Sequence, residues 1–218
     1  MLENKLKFYS KGEEIANAVT HGIGAALSVV GLVLLILFSK NYGDLWYIVS
    51  FTVYGISLVI LYTESTLYHS ITNKRMKYIF RIFDHCSIFL LIAGTYTPFT
   101  LTVLRGKIGW AIFISVWTLA IAGIIMKFFY VGKFKVLSTL IYIVMGWSII
   151  FAIKPLMAAL PQVGLVLLFT GGILYTLGAV LYLIDKVPYN HAVWHLFVLA
   201  GSACHFFCIL FYLFPKVA

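Results

Sequence analysis

Seven stretches of apolar residues, each long enough to cross a bilayer as a helix, follow one another with only short connections. A hydrocarbon core about 30 Å thick takes about 20 helical residues to cross. It offers no hydrogen bonds, so each stretch has to satisfy its own backbone N–H and C=O groups, which a helix does. The stretches run approximately over 17–38, 46–69, 80–102, 109–130, 137–157, 163–184 and 191–214. The expected fold is all-α: a polytopic, seven-transmembrane-helix bundle, one integral-membrane domain over residues 1–218. A short amphipathic segment at about 1–16 precedes the first span. Composition agrees, because only 11% of the 218 residues are charged, against about 25% in a soluble domain.

The first apolar stretch follows a mixed-charge segment (Lys5, Lys7, Lys11, Glu13, Glu14) rather than a short basic one, and has no small-residue cleavage site. It reads as a retained span and not a signal peptide. The net charge of +9 does not point to nucleic acid, since the basic residues gather in the connections, where they set topology. Cys86, Cys204 and Cys208 form neither a disulfide framework nor a close CxxC pair, and read as small buried apolar residues.

Lys and Arg fall unequally on the two sides. Eleven lie in the N-terminal segment and the connections 2–3, 4–5 and 6–7, including Lys74, Arg75, Lys77 and Arg81; five (Lys40, Arg105, Lys107, Lys154 and Lys216) lie on the other side. The positive-inside rule then puts the N-terminus in the cytoplasm and the C-terminus outside. Local signals fit. Ser10 and Glu13 form a capping box that would start a helix along the membrane surface before the first span. Asn190 follows a Val187-Pro188 turn and would cap the seventh helix. Trp46, Trp110 and Trp194 fall near expected interfaces, as an aromatic belt requires.

This topology gathers the polar residues. Span 1 starts at the cytoplasmic side with His21, span 2 ends there with Glu64, Ser65 and His69, span 3 starts there with Asp84 and His85 in its first turn, and span 7 starts there with His191 and His195. His191 and His195 are spaced i, i+4, on one helix face. Three neutral imidazoles with an open fourth position are the donor set of catalytic Zn²⁺. His69, His191 and His195 are therefore the candidate metal ligands, and Asp84 is the candidate to accept a proton from water or to orient a ligand. Ser65, one turn before His69, would hydrogen-bond water or an oxyanion, or merely bond back to the residue 61 carbonyl. His21 and His85 read as interfacial hydrogen-bonding residues. Glu64 either pairs with connecting lysines or serves the site, and Arg81 is an alternative partner for Asp84. His205, about 15 Å deeper than His195 at 1.5 Å per residue, reads as a hydrogen-bonding residue of the bundle interior.

Ser65-Thr-Leu-Tyr-His69, Phe83-Asp84-His85-Cys86-Ser87 running to Gly94-Thr95-Tyr96-Thr97-Pro98, and Asn190-His191-Ala-Val-Trp-His195 resemble the bacterial hemolysin III family, which belongs with the progestin and adipoQ (adiponectin) receptors. Glu14-Ile-Ala-Asn-Ala-Val-Thr-His21-Gly-Ile-Gly24 resembles the bacterial branch. The resemblance covers nearly the whole chain. It implies a seven-helix protein of the cell (inner or plasma) membrane with a cytoplasmic N-terminus, and zinc near that face held by His69, His191 and His195. Asp84 falls on the family's water-linked acid and Ser65 on its associated serine. The wider superfamily includes alkaline ceramidases, so a membrane lipid amide or ester is the implied substrate of a metal-dependent hydrolase. Two other readings follow: a membrane sensor or homeostasis protein whose zinc is structural, and a pore-forming cytolysin, as the family name suggests. The chain shows no amphipathic pore hairpin and no sizeable soluble N-terminal region like those of the eukaryotic receptors.

Overall fold

A computed structural model describes residues 9–41, 44–184 and 187–214. Its helices are α1 (Lys11–Lys40), α2 (Leu45–Ser70), α3 (Lys74–Leu101), α4 (Lys107–Tyr130), α5 (Lys135–Trp147), α6 (Ile153–Ala159), α7 (Gln162–Leu183) and α8 (Asn190–Tyr212). A 3₁₀ turn, Ser148–Ala152, joins α5 to α6. Seven helical segments are long and apolar enough to cross a membrane, with Lys135–Ala159 as the fifth. No strand occurs among the described residues. The chain is an all-helical, seven-span membrane protein.

Polarity in α1 is inverted relative to a soluble helix. Its buried stripe is Asn17, His21, Gly24, Ser28, Gly31, Leu35 and Ser39, while Ile15, Val19, Ile23, Leu27, Val30 and Leu37 are exposed. The buried positions recur every three or four residues, which draws one face of a helix. Lipid takes the apolar face at no cost, and small residues let neighbouring backbones approach. Thus α1 packs on α2 and α8, α2 on α3, α3 on α4, and α7 on α8, whereas α5 approaches its neighbours at fewer points. Deep in the bundle, the hydroxyls of Tyr62 (α2) and Tyr175 (α7) both meet Ser202 Oγ (α8) at 2.7 Å.

Several local expectations change. The capping box forms, with Ser10 Oγ accepting from Glu13 N–H at 3.3 Å and Glu13 Oε2 accepting from Ser10 N–H at 2.9 Å. It opens the first span itself, which runs unbroken from Lys11; among the described residues there is no separate surface helix. The basic run Lys74–Arg81 is helical rather than a connection, because the Asn73 side chain caps α3 by accepting from the N–H groups of Arg75 and Met76 at 3.1 Å. Asp84 consequently lies in the third turn of α3 and not the first, beyond the reach of the helix-end charge, which fades within one turn.

Asn190 is the first residue of α8, not its cap. Tyr189 takes the preceding position in a left-handed conformation (φ 58°). The Asn190 amide instead donates to the carbonyls of Leu181 (2.6 Å) and Ile184 (2.5 Å), closing the end of α7. In the fifth span, Pro155 has no N–H to give residue 151, and the chain tightens into the 3₁₀ turn before it. Trp46 and Trp110 pair edge to face, with Arg105 over the Trp46 ring. Trp194, in the first turns of α8, packs among His21, His191 and His195.

The four helix ends expected to carry the polar residues converge by topology. The start of α1, the end of α2, the start of α3 and the start of α8 share one end of the bundle. Lys11, Lys74, Arg75, Lys77, Arg81, Lys127, Lys133 and Lys135 lie towards that end, and Lys40, Arg105, Lys107 and Lys154 towards the other. Lys5, Lys7, Lys186 and Lys216 fall outside the described residues.

Candidate metal centre

His69, from the last turn of α2, meets His191 and His195, from the first two turns of α8. Each offers a ring nitrogen, and the three atoms lie within 4.8 Å of one another. His69 Nε2 and His191 Nε2 are 3.2 Å apart. His69 and His195 are buried and His191 is half-buried.

The opposite ring nitrogens show why these imidazoles point as they do. Glu14, one turn into α1, places Oε2 2.7 Å from His69 Nδ1. A carboxylate only accepts, so His69 carries its proton on Nδ1 and presents a lone pair at Nε2. His195 Nδ1 lies 3.2 Å from the Asn17 carbonyl and 3.1 Å from Thr20 Oγ1. Thr20 already gives its own proton to the Ala16 carbonyl at 2.8 Å. His195 Nδ1–H is therefore the donor to both, and its Nε2 keeps a lone pair, buried and with no hydrogen-bond partner. Orphaned buried acceptors cost about 1–3 kcal/mol each. A metal ion shared by the three rings removes that cost, and the donor set fits one. Carboxylate and carbonyl groups behind ligand histidines are the usual support of such sites.

Aromatic rings wall the cluster. Tyr9 stacks on His191 (5.0 Å between centroids, 26°) and Trp194 covers the same ring at 4.8 Å. His21 stacks face to face on His195 at 3.5 Å and 11°.

Ser65 lies one turn before His69, 1% exposed, and its Oγ has no hydrogen-bond partner; the back-bond to residue 61 is not made. Asp84 is 5% exposed and bonds none of the three histidines among the contacts resolved; its Oδ2 lies 3.4 Å from His85 Nδ1, which donates at 2.9 Å to the Arg81 carbonyl. Asp84 and His21 line a cavity of about 130 Å³ that runs between α3, α5, α7 and α8 to Tyr96, Trp147 and His205, with mostly apolar walls. His85 and His205 are hydrogen-bonding residues as expected, His205 through Nε2–H to the Leu168 carbonyl at 3.0 Å. Glu64 keeps a buried Oε2 with no hydrogen-bond partner. Cys86, Cys204 and Cys208 are free thiols.

Sequence reasoning missed Glu14, Asn17 and Thr20, and undervalued His21. The signal was present. Glu14, Asn17 and His21 recur at i, i+3 and i+7, a polar line along an otherwise apolar helix, and the neighbouring capping box drew attention to Glu13 instead.

Comparison with known proteins agrees with this geometry. Residues 9–206 match the sequence model of the haemolysin-III related family. The chain is 56% identical over 200 residues to the Hemolysin-3 homolog of Bacillus subtilis (strain 168), covering 92% of this chain and 94% of that protein. It is 56% identical over 206 residues to Hemolysin-3 of Bacillus cereus, covering 94% of each. Across a wider distance it is 32% identical over 212 residues to the human Monocyte to macrophage differentiation factor, covering 93% of this chain and 85% of that protein. With seven spans, a histidine cluster at one end and these matches over nearly its full length, the chain belongs to the haemolysin-III related family as a multi-pass protein of the cell membrane.

Proposed function

We propose that this protein is a zinc-dependent hydrolase of a membrane lipid amide or ester, with its histidine end at the cytoplasmic face. The observation that carries the reading is the set of three convergent imidazoles. Glu14 turns the Nε2 of His69 inward, and Asn17 with Thr20 turns that of His195. The 3.2 Å between His69 Nε2 and His191 Nε2 supports zinc, because ligands at about 2.0–2.1 Å from a tetrahedral ion lie about 3.3 Å apart.

Zinc held there supplies a Lewis acid and brings the pKa of water down to about 7. The remaining work falls to the chain. Asp84 takes the proton released when water adds to the substrate carbonyl, and returns it to the leaving nitrogen or oxygen as the C–N or C–O bond breaks. Ser65, whose Oγ is buried and unengaged, hydrogen-bonds the attacking water or the developing oxyanion. The cavity that begins at Asp84 and His21 takes the apolar part of the lipid and excludes water from it.

The test uses detergent-purified protein, loaded with zinc or stripped by a chelator, with a panel of lipid amides and esters. The expected result is fatty-acid release by the loaded protein alone. Equal release by both forms, or none from any lipid by protein that carries zinc, overturns the hydrolase.

A second reading is a sensor or homeostasis protein with structural zinc. It is favoured by the ligands' coming from two helices, α2 and α8, which the ion would staple together. It gives a zinc protein that melts on chelation and turns over nothing. The cytolytic reading rests on relatives' names, and gives dye leakage from vesicles that persists after the metal is removed.

A further inference from the structure

The Glu14 carboxylate is engaged twice. Its Oε2 accepts from His69 Nδ1–H at 2.7 Å, and its Oε1 receives the Lys77 ammonium at 2.9 Å. The three residues come from α1, α2 and α3. The His69 side chain is fully enclosed, and those of Lys77 and Glu14 are 7% and 19% exposed. Lys77 is a membrane-protein lysine that does not reach outward to water: its Nζ also donates to the Tyr68 carbonyl at 2.9 Å, beside His69 in the chain. A buried cation at this place needs a reason, because a carboxylate and an imidazole alone would satisfy each other.

We propose that Glu14 is a positioning residue of the metal centre and that Lys77 sets how much of its negative charge reaches the ion, so that the pair tunes how firmly the metal is held. The inference rests on the metal site proposed above. A carboxylate behind a ligand imidazole fixes its tautomer and raises the basicity of the far nitrogen, and its loss costs about 10–100-fold in metal affinity. An ammonium on the same carboxylate acts against it. It draws off part of the negative charge and adds a positive charge near a dication, where little water screens the interaction. Removing Glu14 and removing Lys77 should therefore move metal affinity in opposite directions. A strut that merely ties α1, α2 and α3 together would have both losses act in the same direction.

The experiment measures zinc affinity by competition with a chromophoric chelator, and the absorption spectrum of the cobalt-loaded protein. It compares wild type with Glu14→Ala, Glu14→Gln and Lys77→Gln. Glu14→Ala should bind zinc about 10–100-fold more weakly and shift the cobalt bands, since the His69 ring loses its tether. Glu14→Gln keeps an acceptor for His69 Nδ1–H without the charge, and should fall between Glu14→Ala and wild type. Lys77→Gln keeps an N–H donor for the Tyr68 carbonyl without the charge, and should bind zinc more tightly than wild type. Two results overturn the proposal: Glu14→Ala with wild-type affinity, or Lys77→Gln that binds zinc no more tightly than wild type. Melting of the chelator-stripped proteins reports folding separately, and if Lys77→Gln does not fold, the two Glu14 variants decide. Wild-type protein that binds no zinc overturns the site itself; wild-type protein that binds zinc beside an unaffected Glu14→Ala overturns only the role given to Glu14.

Discussion

Asp84→Asn should leave the metal ion bound and lower lipid hydrolysis by about 10²–10⁴-fold, the usual contribution of a positioned acid or base. The two side chains have the same shape, so the cavity wall keeps its form. What changes is the capacity to accept a proton, which asparagine lacks. Metal retention should not change, because the ionisable group that faces the Asp84 carboxylate at 3.4 Å is His85, which lies outside the histidine cluster. Stability should hold or rise. An ionised aspartate costs about 2.5–3.5 kcal/mol at the centre of a membrane helix, and Asp84 sits three turns into α3 rather than at its first turn. Metal content, melting temperature and fatty-acid release from one preparation separate these effects. Loss of the metal in Asp84→Asn would move this residue into the ligand set, and unchanged turnover would remove it from the chemistry.

The second large effect concerns packing. Gly24→Leu should destabilise the protein by about 3 kcal/mol, at the upper end of what overpacking usually costs, and should loosen the metal with it. A Cβ at Gly24 would stand 2.6 Å from the Tyr62 ring. That ring has nowhere to go. It is 2% exposed, its hydroxyl is tied to Ser202, and it packs perpendicular to the His21 ring at 5.0 Å and 88°. The strain has to be relieved by moving α1 away from α2, and α1 carries the Glu14, Asn17, Thr20 and His21 contacts to His69 and His195. Gly146→Leu is the control, since a Cβ there meets nothing within 4 Å. Thermal melting in detergent should show a large loss for the first substitution and little for the second. Equal melting of both would mean that α1 and α2 do not hold the close approach described.

The spans were legible because lipid imposes one rule on every residue facing it, and a run of about 20 apolar residues has one use. The three clustered histidines were legible for a related reason. Topology alone puts the end of α2 and the start of α8 at the same level, and His191 and His195 share a helix face. What could not be read was long-range partnership. Glu14 is 55 residues from His69, and although it opens the polar line that runs through Asn17 and His21, no spacing in the sequence names His69 as its partner; Glu13 faces the other way to close the capping box and to accept from the Tyr189 N–H. Asn190 has the composition of a helix cap, but the left-handed Tyr189 turns its amide back onto α7. The depth of Asp84 was misjudged because Lys74–Arg81 looks like a charged connection, and the Asn73 cap makes it helix. Hydropathy locates the lipid; hydrogen bonds locate the helix ends, and these follow separate rules.

The proposed chemistry depends on the metal ion. Its most direct test is elemental analysis of the detergent-purified protein, wild type beside His191→Ala, with His205→Ala as a variant outside the ligand set. One zinc ion per chain in wild type and His205→Ala, and none retained in His191→Ala, is the predicted result. Wild-type protein without metal after purification and zinc reconstitution would contradict it, and would make the three clustered imidazoles a hydrogen-bonded network instead of a metal centre.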